Sequence, residues 1–469
     1  MPHPHHYNQA VLLRVKAPLH QQYLEQAIVA LLHHHDALRL QLMETETGWQ
    51  QQIVLQDHFP LTCFDYSHLS ATQPLEAVEP IIEQAAQQLQ ASLNLSTHLV
   101  QVAWFKLGES HSDLLLFIVH HLAVDGVSWR ILLEDFQAAY QQLTQGQTVQ
   151  LPAKTTSFKQ WAERLQSYAA SDINQQELKY WSSQSQRCQN HFALPVDNPK
   201  GENTGATSEQ IRVSLSIEQT QALLTEVPKA YNTRIQEVLL TALVQALTQW
   251  IGYNSLLVDV ENHGRESQWN DIDLSRTVGW FTAIAPILLT VESDQIEVNL
   301  QQIKEQIRAI PNHGIEYGIL RYLKTDSVIS NIPQPEISFN YLGQFGSTDP
   351  ASTLVERVEQ PIGRTLIGAT QSRLQPRRYR IEINGAITAG QLYLDWSYSR
   401  QQYHRSTMAR LTQSFQDALL QLIEHCQNPD VVGYTPSDFA LAQLDQSQLE
   451  AVLAQVTFET DGREVKHEL

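Results

Sequence analysis

The sequence predicts a mixed α/β fold arranged as two lobes. At 469 residues the chain exceeds the usual size of one compact core and suits two units of about 150 to 250 residues each. Segments with the period of a strand alternate with segments with the period of a helix in both halves, which is typical of mixed α/β domains. A looser, polar stretch over about 145–208 lies between the halves and is expected to be the crossover.

The first half opens on alternating apolar residues and continues with helical spacing through Leu24, Ile28 and Leu31. The predicted strands cover 10–17, 37–42, 61–64, 99–107 and 113–119. The predicted helices cover 21 to about 35, 75–93 and 127–143.

The second half repeats this mixture. Its predicted strands cover 210–216, 255–261, 286–291, 336–342, 380–388 and 391–399. Its predicted helices cover 220–231, 234–251, 298–310 and 409–426. The chain carries no dinucleotide-binding fingerprint and no P-loop. We expect four regions, namely a first lobe over 1–180, a crossover over 181–208, a second lobe over 209–445 and a C-terminal tail over 446–469.

Composition argues against several classes of protein. The net charge of -19 and the pI of 5.4 disfavour nucleic acid and anionic membranes as partners, because phosphate groups require basic patches. Cys63, Cys188 and Cys426 are widely spaced, which disfavours a disulfide framework or a zinc site. The first residues lack the pattern of a signal peptide, and no run of about 18 apolar residues occurs. We therefore expect a soluble, monomeric protein of the reducing cytoplasm.

Two histidine-rich stretches raise the question of a metal site. His5 and His6 run directly into the first predicted strand, so a segment leading into that strand is favoured over a tag remnant or a metal-binding tract. The residues His33 to His35 close the first predicted helix, where charged imidazoles interact favourably with the helix dipole. We therefore predict no metal site.

The segment HHLAVDGVSW, residues 120–129, joins a buried type of strand to a helix. Successive side chains of a strand point to opposite sides, so only one of His120 and His121 can face a given cavity, and joint metal ligation is disfavoured. Gly126 permits a tight turn, while Asp125 can accept backbone N–H groups at the start of the helix. A histidine at such a junction is well placed for proton transfer.

The same segment carries a family signature. HHLAVDG matches HHxxxDG and resembles the condensation-domain superfamily of nonribosomal peptide synthetases, whose fold is similar to that of chloramphenicol acetyltransferase. The resemblance implies two chloramphenicol acetyltransferase-like lobes in a V-shaped arrangement with a tunnel between them. It also implies that the second histidine, His121, faces the tunnel, but the signature alone leaves several subfamilies open.

Further blocks resemble the epimerization subfamily and cover most of the chain in the expected order. They are DGVSWRILLEDFQAAY (125–140), VDVENHGRE (258–266), DLSRTVGWFT (273–282), IKEQIRAIPNHGIEYG (303–318), FNYLGQF (339–345) and TPSDF (435–439). Ordinary condensation domains share the fold and the histidine signature but usually lack the GRE, TVGWFT and FNYLGQF forms.

The chain departs from the subfamily at three positions. The family usually has Gly in place of Asn262, Gly in place of Glu316 and an aromatic residue in place of Ala285. These differences bear on substrate choice and rate more than on the type of reaction. The family's first block, an IQxWF-like segment, would lie before Met1, so we expect a clipped or shortened N-terminus.

The resemblance implies epimerization, from L to D at Cα, of an aminoacyl or peptidyl thioester held on the 4'-phosphopantetheine arm of a carrier protein. Inversion requires removal of a weakly acidic proton, return of a proton to the opposite face and stabilisation of the enolate oxygen. A thioester delocalises the carbanion better than a carboxylate or an amide does, so no permanently bound cofactor is required.

We expect His121 and Glu261 to be the two proton-handling groups, and the resemblance implies that they face each other across the tunnel. Residue types alone do not decide which group takes the first proton. Glu261 is preferred as the initial base, with His121 returning a proton or stabilising the enolate, because burial raises the pKa of a carboxyl group. The alternative for Glu261 is a structural ion pair with Arg265, four residues further on.

Other residues of the blocks have expected roles as well. Asn340 and Tyr341 resemble family positions that line the site, where an amide or a phenol can orient the thioester. The alternative for Tyr341 is a buried tyrosine whose hydroxyl group is satisfied within the fold. The motif residues expected to serve the scaffold or the tunnel wall are His120, Asp125, Gly126, Ser128, Trp129, His263, Arg265, Trp280 and Phe281.

Two other functions stay open. The first is an amide-forming condensation domain, an acyltransferase in which His121 orients or deprotonates the incoming amine. The second is a catalytically silent module that recruits other enzymes to the synthetase. Glu261 and FNYLGQF favour epimerization over condensation, while the intact pair of His121 and Glu261 argues against a silent module.

The resemblance also implies partners. We expect a peptidyl carrier protein domain upstream of this chain to deliver the substrate, and a downstream condensation domain or synthetase is a second candidate. The final segment FETDGREVKHEL, residues 458–469, is either a docking segment for a downstream synthetase or a disordered end.

Overall fold

The computed structural model describes residues 3–46, 48–55, 61–71, 73–171, 175–189, 193–265, 269–324, 327–345, 354–358 and 366–461. The predicted mixture of strands and helices is confirmed. The strands are β1 (Asn8–Val15), β2 (Leu40–Thr45), β3 (Gly48–Ile53), β4 (Leu61–Asp65), β5 (Val100–Lys106), β6 (Leu114–His120), β7 (Ser208–Ser214), β8 (Ser255–Asn262), β9 (Ala283–Thr290), β10 (Ile337–Phe345), β11 (Val355–Arg357), β12 (Ile381–Thr388) and β13 (Gln391–Ser399).

The helices range from one turn to six turns in length. They are α1 (Gln21–His34), α2 (Ser67–Ser70), α3 (Leu75–Ser92), α4 (Gly126–Thr144), α5 (Phe158–Ala170), α6 (Gln175–Cys188), α7 (Ile217–Tyr231), α8 (Ile235–Ile251), α9 (Ile296–Arg308), α10 (Ile315–Gly318), α11 (Ser327–Ser330), α12 (Arg405–Cys426) and α13 (Gln446–Asp461). Among the residues just described, every helix is too short or too polar to cross a lipid bilayer.

The first lobe is built on a five-stranded sheet with the strand order β11-β1-β6-β5-β4. Both faces of this sheet are covered, which explains the nearly continuous apolar run of β6. Leu13 and Leu115 pack on the face that α1 and α4 cover. Leu12 and Leu116 pack on the opposite face, which α3 covers.

The second lobe is built on a six-stranded sheet with the strand order β7-β13-β12-β10-β8-β9. One face carries apolar side chains, including Val258, Phe339 and Ile383, which pack into a core with α8 and α12. Because side chains alternate along a strand, the other face of β8, β10 and β12 carries the intervening residues, and in the middle of these strands they are polar, including Asp259, Glu261 and Asn340. This polar face is the wall on which the candidate site is built.

The first sheet also includes a strand from the second half of the sequence. The short strand β11 comes from the second half of the sequence, yet it pairs antiparallel with β1 at the edge of the first sheet, with Leu13 opposite Arg357. Residues 355–357 therefore lie outside the six-stranded sheet, although they fall within the range predicted for the second lobe. The limits of the predicted regions otherwise stay a prediction.

The predicted loose crossover over 145–208 is wrong in one respect, because this stretch contains α5 and α6. Both helices are polar in composition and bury only a narrow apolar stripe. Trp161 packs with Phe281, while Trp181 and Cys188 lie in the core of the second lobe. Because α5 and α6 contain so few apolar residues, their amino-acid composition is similar to that of a linker.

The tail also contains structure. Residues 446–461 form α13, and Leu449 is buried, so the predicted tail begins with a helix, while the two alternatives for 458–469 stay a prediction. The remaining tail residues, 462–469, lie outside the described residues. TPSDF, the last family block, closes on the body of the second lobe, where Asp438 pairs with the fully buried Lys304 at 2.6 Å.

Candidate active site

His121 lies directly after β6, where the chain leaves the first sheet. β6 ends at His120, and residues 121–123 form one turn of 3-10 helix before α4 begins. The backbone N–H of His121 donates to the carbonyl oxygen of Tyr7 at 2.9 Å, which ties the turn to the chain just before β1. The predicted strand-to-helix junction is therefore present, and it places His121 at the end of the first sheet.

Both ring nitrogens of His121 have partners. Nδ1 lies 2.9 Å from the carbonyl oxygen of Val124, and Nε2 lies 3.0 Å from the amide nitrogen of Gln9. A carbonyl oxygen only accepts and an amide nitrogen only donates, so Nδ1 carries the proton and Nε2 accepts. Burial lowers the pKa of His121, while Asp125 opposes this effect. His121 is therefore a neutral imidazole in this arrangement.

The imidazole of His121 packs against two aromatic rings, which also contact each other. The ring of Trp280 lies 4.2 Å away on an interplanar angle of 27°, and the ring of Tyr7 lies 5.3 Å away at 10°. Trp280 comes from the TVGWFT block in the second half of the chain, whereas Tyr7 precedes β1. His121 is consequently held where the two halves of the chain meet.

Glu261 lies near the carboxyl end of β8, on the polar face of the second sheet. In the parallel pairing of β8 with β10, Glu261 lies opposite Asn340. Asn340 donates from Nδ2 to Oε2 of Glu261 at 2.9 Å, so the FNYLGQF block positions the carboxyl group directly. The two residues that the resemblance assigned to neighbouring roles are therefore brought together.

The pKa of Glu261 is raised to about 7, chiefly by burial and in addition by the acidic groups Asp259 and Glu382, while Arg378 opposes them. Asp259 precedes Glu261 by two residues on the same face of β8, and it accepts a hydrogen bond from the hydroxyl group of Tyr379 at 2.7 Å. A carboxyl group with a pKa close to neutrality exists in both forms at pH 7, so it can accept or donate a proton.

Two tyrosines differ in their relation to the candidate pair: Tyr7 contacts His121, whereas Tyr341 follows Asn340 on β10 and packs against the core of the second lobe. Burial raises the pKa of Tyr7 to about 12, and the charge of Glu261 contributes to this rise. Tyr7 is thus near Glu261 as well as stacked on His121. The hydroxyl group of Tyr341 is buried and has no hydrogen-bond partner among the described residues. The predicted alternative of a satisfied hydroxyl group on Tyr341 is therefore wrong.

A cavity of about 250 Å³ lies between the two lobes. Its first wall is formed by Ala10, Val11 and Leu12 of β1, and its second wall includes Leu342 and Asn384 of β10 and β12. Leu342 of this lining lies two residues beyond Asn340 along β10. An elongated substrate can therefore approach the polar face of the second sheet from between the lobes.

Asp125 and Arg265 join the two lobes beside this site. Asp125 caps α4 by accepting from the backbone N–H of Ser128 at 2.8 Å, and its other oxygen accepts from the backbone N–H of Phe281 at 3.1 Å. Arg265 donates to both oxygens of Asp125, and its guanidinium lies 4.2 Å from the ring centroid of Phe281. The predicted alternative, an ion pair between Arg265 and Glu261, is wrong because Asp125 is the partner.

Two glycines of the motifs differ in whether a larger residue would fit at their position. Gly264 has a φ of +64°, and a Cβ atom there would lie 1.8 Å from the carbonyl oxygen of Phe281, so only glycine fits. Gly126 is the first residue of α4, and a Cβ atom there would lie 3.7 Å from Leu342, an ordinary contact. Gly126 therefore permits the turn into α4, as predicted from the sequence, but the space around it does not require glycine.

The remaining motif residues lie around the pair rather than between its members. His120 is buried, donates from Nε2 to the carbonyl oxygen of Pro4 at 2.8 Å and accepts at Nδ1 from Leu122, and burial lowers its pKa to about 4. His263 accepts at Nδ1 from the backbone N–H of Arg265 at 3.1 Å and lines a separate cavity of about 160 Å³. Glu266, the last residue of VDVENHGRE, lies outside the described residues.

The three departures from the subfamily cluster behind β8 and β9. Asn262 donates to the carbonyl oxygen of His313 at 3.0 Å. Glu316 is fully buried and accepts from Asn312, and burial raises its pKa to about 7. Ala285 is buried against Gly314, where a larger side chain has little room. These residues shape the turn at 311–314, on the side of β8 away from Asn340.

One cluster outside the site has the composition of a metal site. Ligand atoms of His34, His35 and Asp135 lie within 4.8 Å of one another. Asp135, however, accepts from Arg276 at 2.5 Å and lies 2.9 Å from Nε2 of His35. The cationic guanidinium disfavours a metal ion at this carboxylate, and the chain of contacts ties α1 and α4 to the second half of the sequence.

The sequence analysis missed Tyr7 and Gln9. Both lie in the stretch HHYNQAVLL, which was interpreted only as the approach to a strand. Their alternation is the signal that was available, because two polar or aromatic residues separated by one position share a face of the strand. Pairing of β1 with β6, in which Asn8 lies opposite His120, then brings that face to His121.

Comparison with known proteins identifies the family. The Condensation domain family matches residues 1–444. Among curated proteins, a linear gramicidin synthase polypeptide from Brevibacillus parabrevis is 43% identical over 458 residues, which are 96% of this chain and 6% of that protein. Gramicidin S synthase 1 from Brevibacillus brevis is 36% identical over 96% of this chain and 41% of that protein. The chain thus spans less than half the length of these relatives.

Solved structures of similar proteins identify the fold. The epimerization domain from the third module of tyrocidine synthetase B superimposes with a TM-score of 0.81 at 36% identity, covering 90% of this chain and 92% of that domain. The first condensation domain of the calcium-dependent antibiotic synthetase gives a TM-score of 0.67 at 18% identity, covering 92% and 94%. The predicted chloramphenicol acetyltransferase-like fold is confirmed by these matches. This chain belongs to the condensation-domain family of nonribosomal peptide synthetases.

Proposed function

We propose that this protein inverts the Cα configuration of an aminoacyl or peptidyl group that is held as a thioester on the phosphopantetheine arm of a carrier protein. The observation that carries the proposal is Glu261, a carboxyl group on the polar face of the second sheet that is positioned by Asn340. An amide-forming reaction has no need of a second proton-handling group opposite His121, whereas inversion at Cα requires one.

The chemistry of the pair matches this reaction. One group removes the proton from Cα, the electron pair passes into the thioester as an enolate, and the other group returns a proton to the opposite face. The pKa of Glu261, about 7, leaves both of its protonation states available near neutrality. His121 is buried and neutral, with Nε2 as its accepting atom. Glu261 and His121 can therefore each occupy the basic or the acidic role.

Tyr7 supports the same placement. Tyr7 is stacked on His121 and its pKa responds to the charge of Glu261, which is expected if the two groups flank one space. Tyr341 follows Asn340 on β10 but packs against the core of the second lobe, so its hydroxyl group does not bear on the placement of the pair.

The proposed partners follow from the size of the relatives. The matched synthetases are much longer than this chain, so we propose that a carrier protein domain outside it delivers the thioester. The similarity to the epimerization domain of tyrocidine synthetase B, at 36% identity, favours epimerization over condensation.

A product assay tests the proposal. A carrier protein from the same synthetase is loaded with an L-aminoacyl or L-peptidyl pantetheine thioester and incubated with this protein, with and without a second loaded carrier. The proposal predicts a D/L mixture after hydrolysis in both reactions. A new amide with the second carrier and no D-product would show condensation instead, while neither product with any cognate carrier would indicate a silent module.

A further inference from the structure

We infer that Gln9, oriented by Trp129, is a positioning residue that holds His121 as a neutral imidazole whose proton-accepting atom is Nε2. The meaning of this arrangement for catalysis rests on the proposed function. The three residues form a relay, the Trp129–Gln9–His121 relay, which connects α4, β1 and the turn after β6.

The direction of each hydrogen bond in the relay is determined by its first member. The indole Nε1 of Trp129 lies 2.8 Å from Oε1 of Gln9, and an indole N–H can only donate. The oxygen of the Gln9 amide therefore faces Trp129, and its nitrogen faces Nε2 of His121 at 3.0 Å. Nδ1 of His121 donates to Val124 on the other side of the ring.

The relay disfavours the imidazolium form of His121. A proton on Nε2 would face the NH₂ group of Gln9, so two donors would meet at 3.0 Å. Rotation of the amide by 180° would only move the same conflict to Trp129, because the NH₂ group would then face the indole N–H. An unmade hydrogen bond leaves a buried polar group without the partner it had in water, so either arrangement is unfavourable.

The charged and titratable groups around His121 do not reverse this preference. Asp125 favours the imidazolium form, while burial disfavours it and contributes more. The adjacent His120 is neutral in its own hydrogen bonds. Tyr7 and Trp280 pack against the His121 ring, and both side chains are uncharged near neutral pH.

This arrangement assigns the first step of the proposed reaction. When the substrate is in place, the Gln9 N–H leaves Nε2, the Cα–H bond breaks, and its proton passes to Nε2 while the electron pair enters the thioester enolate. Protonated Glu261 then gives its proton to the opposite face of Cα. Proton exchange with water resets the pair. His121 is thus the initial base, in contrast to the sequence-based preference for Glu261.

Nitrogen NMR of the full chain tests the relay. The protein is labelled with ¹⁵N-histidine, and the His121 signals are identified by their loss in His121→Gln. At pH 7 the wild type is expected to carry a proton on Nδ1 and none on Nε2. Gln9→Glu supplies an acceptor to an Nε2–H group, so the pKa of His121 should rise by about one to three pH units.

Two further variants separate the relay from general effects on packing. Trp129→Phe keeps an aromatic ring but frees the Gln9 amide to rotate, so the pKa of His121 should rise by less than in Gln9→Glu. Gln101→Ala removes a comparable glutamine contact, 3.2 Å from Nε2 of His98, and should leave the His121 signals unchanged. The acid limb of the inversion rate should move to higher pH in the same order as the His121 pKa.

The outcomes distinguish this inference from the proposed function. A wild type with a proton on Nε2 at pH 7, or an unchanged His121 titration in Trp129→Phe and Gln9→Glu, would overturn the relay even if inversion occurs. The expected nitrogen signals without any inversion of a loaded cognate carrier would overturn the proposed function and leave the relay standing. If Gln9→Glu does not fold, Trp129→Phe and the wild type still decide.

Discussion

Arg265 donates from Nη2 to both carboxylate oxygens of Asp125, at 2.8 and 3.0 Å. The pair is almost completely buried, with exposed side-chain fractions of 8% and 2%. It joins the start of α4 in the first lobe to the segment after β8 in the second. The aspartate of the HHxxxDG signature therefore helps to hold the two lobes together. The relative position of His121 and Glu261 depends on this junction.

Removal of this carboxylate is expected to destabilise the protein strongly. Asp125→Asn leaves the Arg265 guanidinium buried without its counter-ion, so the free energy of unfolding should fall by about 3 to 5 kcal/mol. Urea denaturation at pH 7 measures the change. Glu163→Gln is the matched control, because the exposed pair of Lys159 and Glu163 should contribute less than about 1 kcal/mol. Equal effects of the two variants would contradict the junction role.

Glu261 is expected to lower stability at neutral and alkaline pH. Its pKa of about 7 in the folded state exceeds the ordinary value of 4.5, so folding favours the protonated form. Below pH 4.5 Glu261 is protonated in both the folded and the unfolded state, so it does not change the free energy of unfolding. Between pH 4.5 and 7 it ionises in the unfolded state first, so the free energy of unfolding falls as the pH rises. Glu261→Gln should therefore stabilise the protein by up to about 3 kcal/mol at pH 8 and hardly at all at pH 4.

Thermal unfolding of the wild type and of Glu261→Gln across this range checks the expectation. A difference that is constant between pH 4 and pH 8 would show that ionisation of Glu261 is not the cause. Asn340 stays in place in both proteins, so the comparison isolates the charge from the packing of the site.

Tyr341→Phe tests whether the Tyr341 hydroxyl group serves the reaction, as its family block implies, or only the packing of the second lobe. Because it is buried without a partner among the described residues, Tyr341→Phe should leave the free energy of unfolding unchanged or raise it by about 1 kcal/mol. The inversion rate should fall by at least about tenfold if the hydroxyl group stabilises the enolate. Single-turnover rates with a loaded carrier and urea denaturation measure the two effects.

Tyr168→Phe is the matched control for this variant. The hydroxyl group of Tyr168 donates to Glu177 at 2.6 Å, so its loss should cost about 1 to 3 kcal/mol of stability without slowing inversion. A Tyr341→Phe protein that is destabilised like the control and inverts at the wild-type rate would assign Tyr341 to the scaffold.

Strongly patterned elements were predictable from the sequence, and their physical causes are plain. The strand over 391–399 was predicted with the bounds it has, because its alternating side chains divide between a core and a polar face. β6 was predictable from its nearly continuous apolar run, since both faces of the first sheet are buried. Helix α4 was predictable from the aspartate that caps it.

The missed features depend on contacts between distant parts of the chain. β11 has only three residues, and its pairing with β1 carries no local signal. The Arg265–Asp125 pair joins positions 140 residues apart, so spacing along a helix or strand could not reveal it. Gln9 contacts His121 and Trp129 only because β1 pairs with β6 and α4 places Trp129 next to it. Family blocks indicated His121, Glu261 and Asn340, but the relay that orients His121 required the fold.

Exchange of the Cα proton tests the central claim most directly. A cognate carrier loaded with an L-aminoacyl or L-peptidyl thioester is incubated in D₂O with the wild type, His121→Ala or Glu261→Gln, and both deuterium at Cα and the D/L ratio are measured after hydrolysis. The proposed pair predicts exchange and inversion with the wild type, and a loss of inversion by at least about 100-fold in each folded variant. Full exchange and inversion in Glu261→Gln, or none in the wild type, would contradict it.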